Sequence, residues 1–186
     1  MTIPVEKHPL EPFLPEGARI LMLGSFPPKK ERWSMEFFYP NFINDMWRIF
    51  GHLFFHDKEH FIADGADGKK TRRFDKEKCT SFAAGKGIAM YDTACEVRRL
   101  KDNASDKFLE VVTATDLEAV LKEIPDCQAI VTTGQKAMDT ITGRFGCEEP
   151  SVGTYTVSKI NGKEVRTNTA RVSAIPFNRR WPGHQR

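Results

Sequence analysis

Residues Arg19–Trp47 read RILMLGSFPPKKERWSMEFFYPNFINDMW, and this stretch sets the architecture expected of the whole chain. Arg19–Leu23 is an apolar run after its first residue, the pattern of a strand buried on both faces and hence central in a parallel sheet. It breaks at Gly24 into a loop carrying Pro27, Pro28, Lys29, Lys30 and Arg32. An aromatic and amide cluster follows, Phe37, Phe38, Tyr39, Asn41 and Asn44. Open α/β sheets bind ligands outside the carboxyl ends of their strands, so a strand that stops at glycine and releases such a loop predicts a site there.

Beyond the cluster, Asn44 or Asp45 caps a predicted helix through Met46, Trp47, Ile49, Phe50 and Leu53. The polar region 56–86 reads as a loop around Asp64–Gly68 and a helix near 69–83. Gly87–Tyr91 is a second buried strand ending at Asp92. A charged, turn-rich stretch runs to Asp106, with a helix or helical turn near 106–111. Thr115 or Asp116 caps a helix with apolar residues at 117, 120, 121 and 124. Ala129–Thr132 is a third strand, closing at Thr133–Gly134 before a helix over roughly 135–143. YTVSKINGKEVRT reads as a hairpin turning at Asn161–Gly162, and Arg171–Ile175 as the last strand. Residues 1–17, rich in proline, read as irregular surface structure. Strands alternating with helices give an α/β sandwich, one domain, with a mostly parallel sheet of about four central strands. Parallel strands bring four ends to one rim: Gly24–Ser25–Phe26, Asp92, Thr133–Gly134 and Pro176–Phe177–Asn178.

Composition narrows the functional classes. Forty per cent of the 186 residues are hydrophobic, enough for a globular core. No apolar run is long enough for a membrane span, and the N-terminus lacks the apolar core of a signal peptide, so we expect a cytoplasmic protein; a monomer is assumed. Net charge is +3, with basic residues grouped at 29–32, 69–73, 98–101 and 179–186. Patches sharing a face would bind phosphates; ordinary solvated faces are the alternative. Cys79, Cys95, Cys127 and Cys147 are widely spaced, which predicts neither a metal site nor disulfides. His52, His56 and His60 would share one face of an extended helix, but no H-E-x-x-H signature accompanies them, so a solvated helix end is the preferred reading.

No G-x-G-x-x-G follows the first strand, and neither a P-loop nor a G-x-S-x-G elbow is present, which disfavours dinucleotide enzymes, P-loop NTPases and α/β-hydrolases. The rim offers backbone N–H groups after Gly24, rings (Phe26, Phe38, Tyr39), amides (Asn41, Asn44, Asn178) and flanking cations. Rings stack bases, amides read base edges and cations hold phosphates, a set suited to a nucleobase drawn out of the stack into a pocket. Phe37, Phe38 and Trp47 also fit core positions, Trp47 above all because it stands at helical spacing with Phe50. Asp92 reads as a capping or loop carboxylate, with a catalytic role as the alternative.

GSFPP followed by FFYPNFINDMW resembles the uracil-DNA glycosylase superfamily, most nearly its mismatch-specific uracil and hypoxanthine branch. Members of that branch carry a GSFPS or GINPG loop and then an aromatic–H-P-x-N-x-F-W segment. GIAMYD resembles the family's second strand, TTGQKA its F-N-G-x-K-A segment, and VSAIPFN lies where the family has P-S-T-S-P-A-N. The resemblance implies a three-layer α/β/α sandwich and a monofunctional DNA glycosylase of base excision repair, needing no metal or cofactor. It implies a DNA partner containing uracil or another deaminated base. Asn44 falls on the catalytic Asn, where it would orient water and hydrogen-bond the base or sugar; a helix N-cap is its alternative role. Ser25 joins it as a catalytic candidate, with backbone N–H groups near Ser25 and Phe26 meeting charge on the leaving base. Gly24, Phe26, Phe38, Tyr39, Asn41 and Thr133 are the base-binding candidates. Lys29, Lys30, Lys136, Phe177, Asn178, Arg179 and Arg180 are the DNA-binding candidates. Asn41 stands where the family has His, Thr133 where it usually has Asn, and Ile175–Pro176–Phe177 is more apolar than the family's loop. These departures bear on base preference. A non-catalytic nucleic-acid reader and an enzyme acting on a free nucleoside are the competing expectations.

Overall fold

A computed structural model of the chain describes residues 3–101, 106–151 and 153–169. In chain order the strands and helices are β1 (Val5–Lys7), β2 (Ile20–Gly24), α1 (Met46–Phe55), β3 (Ile62–Asp64), β4 (Lys70–Phe74), α2 (Lys76–Gly85), β5 (Ile88–Asp92), β6 (Ala94–Arg99), β7 (Leu109–Ala114), α3 (Leu117–Glu123), β8 (Ala129–Thr132), α4 (Gln135–Phe145), β9 (Tyr155–Ile160) and β10 (Lys163–Thr169). The fold is mixed α/β. Its principal sheet has the order β5-β2-β8-β10-β9, parallel except for the antiparallel edge strand β9.

The three apolar runs become the centre of this sheet. Leu21, Leu23, Ala89, Met90 and Ile130 are fully buried, as strands covered on both faces require. Trp47 and Phe61 pack beside them with ring centroids 5.3 Å apart, and Phe82 closes on Phe61 at 5.1 Å. Trp47 is completely buried, so its core reading holds. Asn161 and Gly162 both adopt positive φ, 52° and 76°, the type I′ geometry that joins two strands with a two-residue turn. The fourth parallel strand is the second arm of this hairpin, β10, registered on β8 from Arg166↔Ala129 to Thr169↔Thr132. The expected strand Arg171–Ile175 lies outside the described residues.

Three expectations are corrected. The charged stretch after Asp92 is not turn-rich coil followed by a helix. Residues 94–99 and 109–114 form the antiparallel pair β6–β7, and β1 adds a third strand beside β6. β-branched Val111, Val112 and Thr113 favour the strand, with only Asp106–Phe108 as a 3-10 turn. Residues 69–74 belong to the hairpin β3–β4, and the following helix starts at Lys76, capped by Asp75, whose side chain accepts from Lys78 N–H at 3.1 Å. The face expected for His52, His56 and His60 does not form, because α1 ends at Phe55, His56 turns left-handed (φ 55°) and His60 stacks on Phe55 at 3.7 Å. All four cysteines are free thiols. Among the described residues, no helix is long and apolar enough to cross a membrane.

Candidate active site

Parallel register puts three strand ends together. Gly24 stands opposite Asp92 across β2 and β5, and Thr133 N–H donates to the Leu23 carbonyl at 2.8 Å just beyond β8. A pocket of about 260 Å³ opens over these ends. Its wall is formed by Gly24, Ser25 and Phe26 on one loop and by Phe38, Tyr39, Asn41 and Asn44 on the next, with Asp92 and Thr133 from the strand ends. Such a volume falls just below the usual range of about 300–1,000 Å³ for whole-ligand pockets and suits one small ring system.

The aromatic loop is held by its own hydrogen bonds. Trp33 Nε1–H donates to the Pro28 carbonyl (2.7 Å), Ser34 N–H and Oγ–H both donate to the Pro40 carbonyl (2.8 Å each), and Trp47 Nε1–H donates to the Phe38 carbonyl (3.0 Å). Tyr39 is thereby held at φ 53°, a left-handed conformation that bulky residues adopt only where surrounding structure imposes it. The Tyr39 hydroxyl meets Thr133 Oγ1 at 3.1 Å, and the Thr133 hydroxyl also lies within donating distance of the Leu23 carbonyl at 3.3 Å. Burial pushes the phenol's pKa up, the bond to Thr133 lowers it in part and the Asp92 charge raises it further. The hydroxyl therefore stays protonated across neutral and mildly alkaline pH.

Asp92 itself is nearly buried. Its Oδ2 lies 2.9 Å from Nε2 of His8, whose side chain is only 3% exposed. The other ring nitrogen, Nδ1, lies 2.7 Å from the Leu10 carbonyl. Phe26 and Tyr91 wedge the imidazole at centroid distances of 5.2 and 4.9 Å. Arg99, also nearly buried, forms a forked contact with Glu6 (3.0–3.3 Å) and donates to the Pro27 carbonyl at 3.2 Å, tying the small sheet β1-β6-β7 to the pocket loop. Sequence reading misses both His8 and Arg99. His8 stands 84 positions from Asp92 in a proline-rich segment with no local signal, and Arg99 sits in a basic run that reads as a surface patch.

No family model matches the chain, and no curated protein matches it significantly in sequence. Among solved structures, the solution NMR structure of a "putative Uracil DNA glycosylase" from Methanosarcina acetivorans matches it with a TM-score of 0.50. That match covers 76% of this chain and 79% of the other at 22% sequence identity. The fold is uracil-DNA-glycosylase-like.

Within this glycosylase-like fold the residues expected at a site divide into groups. Gly24, Ser25, Phe26, Phe38, Tyr39, Asn41, Asn44 and Thr133 share the pocket wall. The two amides have engaged their oxygens locally: Asn41 Oδ1 accepts from Ile43 N–H (3.2 Å) and Asn44 Oδ1 from Met46 N–H (2.9 Å), the latter a cap on α1. Lys30 lies outside the pocket, 3.4 Å from Glu36, in a neighbouring groove of about 400 Å³ that also holds Arg32, Trp33, Phe42, Arg72 and Arg73. Lys30 and Arg32 of the first basic group thus meet Arg72 and Arg73 of the second along this groove. Lys29 lines neither cavity. Lys136 does not line the pocket either; its ammonium donates to the Leu109 carbonyl at 2.5 Å, bridging α4 to β7. Phe177, Asn178, Arg179 and Arg180 lie outside the described residues.

Proposed function

We propose that the protein is a monofunctional DNA glycosylase that hydrolyses the N-glycosidic bond of uracil or a related deaminated base, working as a single-domain, three-layer α/β/α member of the uracil-DNA glycosylase superfamily. One observation carries the reading: a small cavity at the carboxyl strand ends of a glycosylase-like fold is lined by rings, amides and the Gly24 turn. A flipped base needs those groups. In this reading Phe26 stacks on the base, with Phe38 and Tyr39 closing the wall. The Thr133 hydroxyl and Asn41 face the base edge. The turn through Gly24, Ser25 and Phe26 meets the negative charge that the departing base acquires, as an oxyanion hole does. Asn44 keeps its NH₂ as a donor toward base or sugar, since its oxygen already serves the helix cap. The groove with Lys30, Arg32 and Arg72 holds phosphates beside the pocket. We take the partner to be damaged DNA and the working form to be a cytoplasmic monomer.

The test is direct. Labelled oligonucleotides carrying uracil, hypoxanthine or xanthine, single-stranded and paired, are incubated with purified protein, and abasic sites are then cleaved with alkali. Strand cleavage on at least one substrate, lost in Asn44→Ala, is the expected result and names the base. No cleavage on any substrate, with salt-sensitive DNA binding retained, overturns the enzyme reading in favour of a non-catalytic reader.

A further inference from the structure

We infer that Asp92, held in place by His8, accepts the proton of the attacking water; this rests on the glycosylase reading. Hydrolysis at an oxocarbenium-like carbon needs a group that orients water, takes its proton and tolerates positive charge nearby. A neutral amide has little affinity for a proton, and the Asn44 oxygen is already engaged with Met46 N–H. Tyr39 and Thr133 are neutral and hydrogen-bonded to one another. Among the described residues, Asp92 is the one carboxylate on the pocket wall.

Its geometry is set from both sides. His8 Nε2 occupies Oδ2 at 2.9 Å, and the ring cannot swing because Leu10, Phe26 and Tyr91 hold its far nitrogen and its faces. Oδ1 lies against Gly24, at the floor of the pocket, where any Cβ would intrude at 2.3 Å. One oxygen is thus fixed and the other is presented at the place where a base would enter. A general base must be held in this way before its proton affinity matters. In the reaction, the water oxygen bonds to C1′ of the deoxyribose. The C1′–N bond breaks and its electron pair leaves on the base. One water proton passes to Asp92 Oδ1, and the base anion takes a proton from solvent. The carboxylate charge also stabilises the oxocarbenium ion as it forms. His8 touches no reacting atom and is a positioning residue.

Single-turnover base release with excess enzyme, alongside binding of the same oligonucleotide carrying an abasic analogue, separates chemistry from recognition. Asp92→Asn should slow release by about 10²–10⁴-fold, the span typical of general acid–base groups, and leave the dissociation constant within about threefold. His8→Gln, which retains an N–H donor for Oδ2, should keep most of the rate, and His8→Ala should lose about tenfold or more with binding unchanged. A purely structural His8–Asp92 tie would move melting temperature and leave the rate of the folded fraction alone. If Asp92→Asn fails to fold, the His8→Gln and His8→Ala pair decides. Active wild type with Asp92→Asn or His8→Ala at wild-type rate overturns the inference and leaves the glycosylase reading standing. Inactive wild type on every base overturns both.

Discussion

Gly24 and Asp92 face one another at the ends of two neighbouring parallel strands, and a Cβ on Gly24 would lie 2.3 Å from Asp92 Oδ1. The glycine at the first strand end is therefore not there for backbone freedom; it makes room for a carboxylate. Gly24→Ala should force the strand ends apart or turn the carboxylate away, at a cost of about 1–3 kcal/mol, as for other overpacked sites. Asp92→Ala removes the obstacle, so the double variant should be more stable than the sum of the single effects predicts. Thermal denaturation of the four proteins in the cycle measures the coupling. Strict additivity would mean that the two residues do not compete for one space.

Tyr39 gives a pH test with a definite sign. Burial raises its phenol pKa, the Thr133 bond offsets part of this and Asp92 adds to it. An unfolded tyrosine loses its proton near pH 10, whereas the folded one keeps it. Above that pH the unfolded state binds fewer protons than the folded state, so stability falls as pH rises, and the contribution is intact below it. Tyr91 shifts the same way, mainly through burial. Unfolding free energy followed by urea titration from about pH 8 to about pH 11 should decline steeply in wild type and less steeply in Tyr39→Phe. Equal slopes would show that the phenol is more exposed to solvent than its surroundings indicate.

The sheet's centre and the pocket were readable for different reasons. β2, β5 and β8 are short, continuous apolar runs, and such runs have little choice but a doubly covered strand. The hairpin was readable because Asn161–Gly162 is a local signal with one common backbone outcome. β6 and β7 were not, because their pairing spans a loop and their buried residues form no apolar run: Ala94, Val97 and Arg99 are buried in β6, and Leu109 alone in β7. The pocket's wall followed from strand ends and one loop. His8 did not, since only tertiary packing brings a histidine from the first ten residues against Asp92.

The basic residues separate into two kinds. Arg32 and Arg72 line the groove beside Trp33 and Phe42, whereas the Lys136 ammonium satisfies the Leu109 carbonyl. Replacing Arg32 and Arg72 by Ala should weaken DNA binding and reduce the slope of log affinity against log salt by about 0.9 for each phosphate no longer neutralised. Lys136→Ala should leave that slope unchanged and lower stability by about 1–3 kcal/mol, the cost of stranding a half-buried acceptor. Fluorescence anisotropy over a salt series distinguishes them. A salt slope that responds to Lys136 and not to the arginines would move the DNA track to the other side of the pocket.

Asn44 holds two roles that one substitution can pull apart. Its Oδ1 caps α1 through Met46 N–H, and in the proposed reading its NH₂ serves as a donor to the base or sugar. Asn44→Ala removes both and should cost about 1 kcal/mol, the usual effect of losing a cap. Asn44→Ser keeps an oxygen for the cap but has no amide, so it should melt close to wild type and still release base at least about tenfold more slowly, the loss expected from roughly 1.4 kcal/mol of transition-state hydrogen bonding. Serine at full rate would reduce Asn44 to a helix cap and leave the water to Asp92. Combining Asn44→Ser with Asp92→Asn then tests whether they serve one step. If both act on the same water, the second substitution should add little to the loss produced by the first, because residues working as a unit are not additive.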